Sequence, residues 1–111
     1  MKTYIEVWKA KEAWKKLSKE ERGAYLAQLA PAIQQLMAGG AEIISWGVNE
    51  HITFARADYD FFAIWKFPTE GAVSSFEKLV EGAGWYSYFD QVNLMGDAAG
   101  PDQVMAAMIN L

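Results

Sequence analysis

The sequence predicts an α+β fold on a four-stranded antiparallel sheet, and three observations carry that expectation. Segments of period-2 alternation, rich in β-branched and aromatic residues, are interleaved with segments of helical spacing. The helical segments have start and stop signals: Ser18 with Glu21, Thr69, Gly39-Gly40 and Gly82. The strand-like segments come singly, then as a pair, then singly, with one long helical segment in each interval. At 111 residues the chain is long enough for one real core but not two, so residues 1–111 are read as a single domain.

The first strand is "KTYIEVWKA" (2–10). Ser18 and Glu21 form a capping box that starts a helix at about Lys19, with Tyr25, Leu26, Leu29, Ile33, Leu36 and Met37 on one stripe. Pro31 lies inside that stripe and is expected to kink or interrupt it, because its ring removes a backbone donor. Two strands follow, "AEIISWGV" (41–48) and "YDFFAIWKF" (59–67), separated by a polar connection that is long for a hairpin. Thr69 then caps a second helix whose inner face is Val73, Phe76, Leu79 and Val80. "SYFDQVNLM" (87–95) is the fourth strand, although Tyr88, Val92 and Met95 also suit helical spacing. Gly100-Pro101 opens a short terminal helix with an apolar stripe of Val104, Met105, Met108 and Ile109. This β-α-β-β-α-β order is the split βαβ, or ferredoxin-like, arrangement with both helices on one face.

Both faces of the strands are apolar. Alternation puts Ile5 and Val7 opposite Tyr4, Glu6 and Trp8, and Phe62 and Ile64 opposite Phe61, Ala63, Trp65 and Phe67. A sheet with helices on one side should be polar on the other. We read the aromatic set as the bare face and expect a second copy of the chain to cover it, giving a homodimer through the sheet faces.

The order of elements and the two-faced strands resemble the dimeric α/β-barrel superfamily, which pairs two ferredoxin-like sheets into a barrel. Locally, "LSKEERGAYL", "ADYDFFAIWKFP" and "GWYSYFDQVNLMG" resemble a small group of bacterial proteins in that superfamily with no assigned activity. The resemblance implies a cavity between sheet and helices. It also implies chemistry of the kind the superfamily carries out, such as cofactor-free monooxygenation or isomerisation. Its haem enzymes place a histidine ligand on a helix. No helix predicted here contains one, so no haem and no other cofactor is expected.

Composition narrows the classes further. A net charge of −4 argues against a nucleic-acid partner, and the absence of cysteine removes thiolate chemistry and Cys-based zinc sites. Gly23 to Ala41 is uncharged but contains Pro31, three glutamines and three glycines, so no membrane span is expected. A cytoplasmic protein without a secretion signal is the expectation. One histidine with scattered carboxylates is poor provision for a metal. Five Trp, six Phe and five Tyr exceed what a core of this size readily hides, which points to an oligomer or an aromatic cavity.

The candidate site residues follow from that cavity. His51 is a candidate acid or base, or else a solvated loop residue. Glu6 lies between Tyr4 and Trp8, where an unpaired carboxylate would have a raised pKa; its alternative is a pairing with a lysine at a subunit edge. Trp46, Asn49, His51, Arg56, Trp65 and Asn93 are the candidate ligand contacts. Arg56 is either a clamp for a ligand carboxylate or a surface partner of Asp58 or Asp60. The expected function is binding of a small aromatic ligand by a homodimer, without catalysis of a known reaction. The alternative is a cofactor-free monooxygenase or isomerase acting on an aromatic or polyketide-like compound.

Overall fold

The four strands form one sheet of order β2-β3-β1-β4. A computed structural model of the chain describes residues 1–50 and 53–111. Its elements are β1 (Lys2–Ala10), α1 (Glu12–Lys15), α2 (Lys19–Ala38), β2 (Glu42–Val48), β3 (Phe61–Phe67), α3 (Glu70–Gly82), α4 (Trp85–Tyr88), β4 (Phe89–Asp97) and α5 (Pro101–Ile109). All three strand pairings are antiparallel. In register, Tyr4 faces Trp65 on β3 and Met95 on β4, and Glu6 faces Ala63 and Asn93.

This corrects the expected ferredoxin-like βαββαβ fold with two helices and a terminal one. The described residues carry five helices, so each interval, β1 to β2 and β3 to β4, holds a short helix as well as a long one. The extra two are four-residue turns, α1 and α4, too short to show a periodic stripe. Gly84, at φ 76°, turns the chain into α4. The helical spacing of Tyr88, Val92 and Met95 is not realised, since Val92 and Met95 lie in β4; the expected strand from Ser87 begins only at Phe89, after α4.

The long helices start where the sequence says. The Ser18 hydroxyl accepts from the Glu21 N–H at 3.1 Å, and the Glu21 carboxylate accepts from the Ser18 N–H at 2.9 Å. That bond to the cap's N–H holds the Glu21 carboxyl below its usual range. Thr69 Oγ1 accepts from the Ala72 N–H at 3.1 Å to open α3. Pro31 does not interrupt α2, which runs unbroken from Lys19 to Ala38. The ring removes one donor from a twenty-residue helix, and the ladder on either side persists.

The larger correction concerns the two faces of the sheet. Tyr4, Glu6, Ala63, Trp65 and Phe67 are the buried set, packed with Val73 and Phe76 of α3. The aromatic face is therefore the inner, helix-covered one. Tyr4 meets Phe67 and Phe76 edge-on at 5.9 and 5.7 Å, and Trp65 stacks on Phe67 at 5.5 Å. Full burial of Val73 and Phe67 contributes about 1.5–3 kcal/mol each. The opposite face carries Ile5, Val7, Phe62 and Ile64, half-buried, with Val92 52% and Leu94 68% exposed.

Two elements are loosely held. α2 has no buried residue; Tyr25, Leu29, Ile33 and Leu36 are half-buried, while Leu26 and Met37 are exposed. Every residue of α5 is exposed, its apolar stripe included. The Cα radius of gyration is 15.9 Å, against about 13 Å for a compact chain of this length. No helix among the described residues is long and apolar enough to cross a membrane.

Candidate ligand-binding site

Between the inner sheet face and helices α2 and α3 lies a cavity of about 410 Å³, within the range of small-molecule sites. All five tryptophans of the chain line it: Trp8, Trp14, Trp46, Trp65 and Trp85. Leu29 and Ile33 of α2 and Leu79 and Val80 of α3 close it from above. Among the described residues, one ionisable side chain lines it, Glu6.

Each indole is placed by a different element. Trp8 follows Glu6 by two residues on β1 and so shares its face. Trp46 on β2 and Trp65 on β3 lie on the same side, with ring centroids 6.0 Å apart. Trp8 bridges Trp46 at 6.5 Å and Trp85 at 5.9 Å. Trp14 comes from α1, whose last carbonyls accept from Arg22: Trp14 O from Nε at 3.1 Å and Lys15 O from Nη2 at 2.8 Å. Trp85 comes from α4 and lies on Phe89 at 4.2 Å. The short helices that sequence periodicity could not show therefore supply two of the five rings.

Glu6 is 6% exposed and accepts from two neutral donors. Trp65 Nε1 donates to Oε1 at 2.9 Å, and Gln91 Nε2 donates to Oε2 at 2.7 Å. Gln91 is itself fixed: its Oε1 accepts from Trp85 Nε1 at 2.7 Å, and its Nε2 also donates to Asn93 Oδ1 at 2.9 Å. Burial pushes the Glu6 carboxyl above its usual range, against the opposing pull of the Trp65 and Gln91 bonds. Nearby, the Tyr4 hydroxyl donates to Glu77 Oε2 at 3.0 Å, and burial together with that carboxylate raises its pKa. Burial also raises the Tyr86 hydroxyl, while a hydrogen bond with Asn93 opposes the shift.

The residues singled out from sequence divide sharply. Trp46 and Trp65 line the cavity, and so does Glu6, which is bonded to Trp65 and Gln91. Asn93 stands behind Gln91, one bond away. Asn49 and Arg56 do other work. Asn49 Nδ2 donates to the carbonyls of Ala57 and Tyr59 at 2.9 and 2.7 Å, and Arg56 Nη1 donates to Glu50 O at 2.7 Å. Asp58, considered as a partner for Arg56, lies 3.4 Å from Lys9 Nζ. His51 lies outside the described residues. Sequence reasoning missed Trp8, Trp14, Trp85 and Gln91. The usable signal for Trp8 was its strand register with Glu6. No group of three or more potential metal ligands occurs among the described residues.

Comparison with known proteins adds a family to this geometry. A family model described as a family of unknown function (DUF6616) matches residues 1–111. The chain belongs to the DUF6616 family. No curated protein matches it. Among solved structures it is similar to the crystal structure of At3g17210 from Arabidopsis thaliana, with a TM-score of 0.62 and 11% identity. That match covers 90% of this chain and 97% of the plant protein. At such identity the likeness is one of fold, and this DUF6616 chain takes its site from its own residues.

Proposed function

We propose that this protein is a homodimer whose chains each bind one small, ring-bearing organic molecule in the tryptophan-lined cavity. The observation that carries the reading is the convergence of all five tryptophans, from four elements besides β1, on one space of about 410 Å³. Four of the rings meet edge to face in a chain, yet they border unfilled space, which a core packed to crystal-like density would not leave. Trp46 keeps 51% of its surface exposed beside the cavity. An apolar ligand would bury that surface, along with the exposed Leu26 of α2.

The dimer rests on the outer sheet face. Four strands about 4.8 Å apart and seven or more residues long give a face roughly 20 by 23 Å. That footprint, roughly 460 Å² in projection, is more than half of the roughly 800 Å² per partner of a standard interface. A second copy presents the same apolar set and satisfies both at once.

Binding is tested by titrating neutral aromatic compounds while following tryptophan emission and melting temperature. Since every tryptophan lines the cavity, an occupant must alter the emission. It must also raise the melting temperature, by about 2.7 kcal/mol of stabilisation at a hundredfold excess over Kd. A panel in which no compound does both would defeat the reading.

A further inference from the structure

The charge of the cavity is unbalanced. Glu6 is buried with two neutral partners, an indole and an amide. The lysine ion pairs found among the described residues lie elsewhere, with Lys2 on Asp97, Lys9 on Asp58, Lys11 on Asp90 and Lys15 on Glu12. A carboxylate offers about four acceptor positions, and each oxygen of Glu6 has one bond, so each keeps acceptor capacity. A carboxylate out of water is costly until a positive charge stands beside it. The walls around it are indoles, the side chains whose ring faces attract cations most strongly.

We propose that the ligand of this cavity is an organic ammonium ion, with its nitrogen against Glu6 and its apolar body among the tryptophans. This deepens the reading of the cavity as a ligand site, on which it rests, by adding the sign of the ligand's charge. The ammonium supplies the charge that Trp65 and Gln91 cannot. The series Trp85, Trp8, Trp46 and Trp65, with neighbouring centroids 5.9–6.5 Å apart, offers π surface for the cation and apolar surface for its body. A neutral ring would fill the space but leave the carboxylate uncompensated. An anion would meet it at close range in a poorly screened site.

Three probes of one shape separate these cases: phenethylammonium, phenethyl alcohol and hydrocinnamate, titrated at neutral pH and constant ionic strength by tryptophan emission. Phenethylammonium is expected to bind at least about tenfold tighter than the alcohol, and hydrocinnamate most weakly. The Glu6→Gln variant should lose the preference for ammonium over alcohol while still binding the alcohol. The wild type provides a check that needs no variant. Affinity for phenethylammonium should fall as pH is lowered through the raised Glu6 pKa, above the usual carboxylate range, and affinity for the alcohol should not. Equal binding of ammonium and alcohol, or tightest binding of hydrocinnamate, overturns the cation proposal and leaves the ring-ligand site standing. An ammonium preference that survives in Glu6→Gln or ignores pH removes Glu6 from it. If none of the three probes binds, both readings fall.

Discussion

Trp65 Nε1 donates to Glu6 Oε1 at 2.9 Å, tying the two central strands together by side chains as well as by their backbone ladder. Trp65 is 1% exposed, so without that acceptor its N–H would be a buried orphan. Gln91 repeats the arrangement from β4. A single carboxylate thus satisfies donors from both neighbouring strands, at the cost of its own desolvation.

That cost should be visible as a pH dependence of stability. Glu6 has a raised pKa in the native state, so the folded protein holds this proton more tightly than the unfolded chain does. Its contribution is fully present in acid and is lost as pH rises from the ordinary carboxylate range through the raised native value. Glu6→Gln cannot ionise and should lack this slope. Urea denaturation across that window should show the variant gaining stability on the wild type between acid and neutral pH. Parallel curves for the two proteins would mean that Glu6 titrates normally.

The outer face supplies a second test. Val92 and Leu94 point away from the cavity and are exposed, whereas Trp8 lines it. Leu94→Lys should weaken the homodimer at least tenfold in sedimentation equilibrium and leave the melting behaviour of the monomer nearly unchanged. Trp8→Asp should do the reverse, impairing ligand binding and stability more than association. A wild-type chain that sediments as a monomer at tens of micromolar would refute the interface.

Gly47 and Phe62 make a third pair. They are register partners on β2 and β3, and a Cβ at Gly47 would overlap the Phe62 ring. Gly47→Ala should therefore cost about 1–3 kcal/mol as the ring is driven aside, despite the ordinary strand preference against glycine. Phe62→Leu made in the same chain should recover part of that loss, measured as a non-additive pair in a double-mutant cycle. Full additivity would show that the ring is free to move.

How much of this was legible in the sequence depends on the range of the signal. Strand alternation grouped Tyr4, Glu6 and Trp8 with Phe61 and Trp65, and the capping residues Ser18 and Thr69 began both long helices where expected. What alternation cannot say is which face the helices cover. Both faces are apolar, so the pattern is symmetric, and only the packing of Val73 and Phe76 against Tyr4 and Trp65 breaks the tie. The short helices escaped because four residues make barely one turn, yet they deliver Trp14 and Trp85 to the site. Gln91 escaped for another reason: its role comes from partners on β1 and α4, far from it in sequence or around a turn.

The polar connection after β2 drew attention because it holds Asn49, His51 and Arg56 at the end of an aromatic sheet. The described part of it is organised around its own backbone. The Asn49 N–H donates to Asp60 O at 2.7 Å, and its side-chain amide donates to two further carbonyls across the connection. Both side-chain bonds require a donor at Nδ2. Asn49→Ala should cost about 1 kcal/mol by losing them. Asn49→Asp should cost more, because it sets a carboxylate against two carbonyl oxygens, and its penalty should shrink in acid, where the new carboxyl is protonated and can donate. Neither Asn49 nor Arg56 lines the cavity. Asn49→Ala and Arg56→Ala should therefore leave ligand affinity within about twofold of wild type while lowering the melting temperature by a few degrees. A variant that keeps its melting temperature and loses the ligand would return this connection to the site.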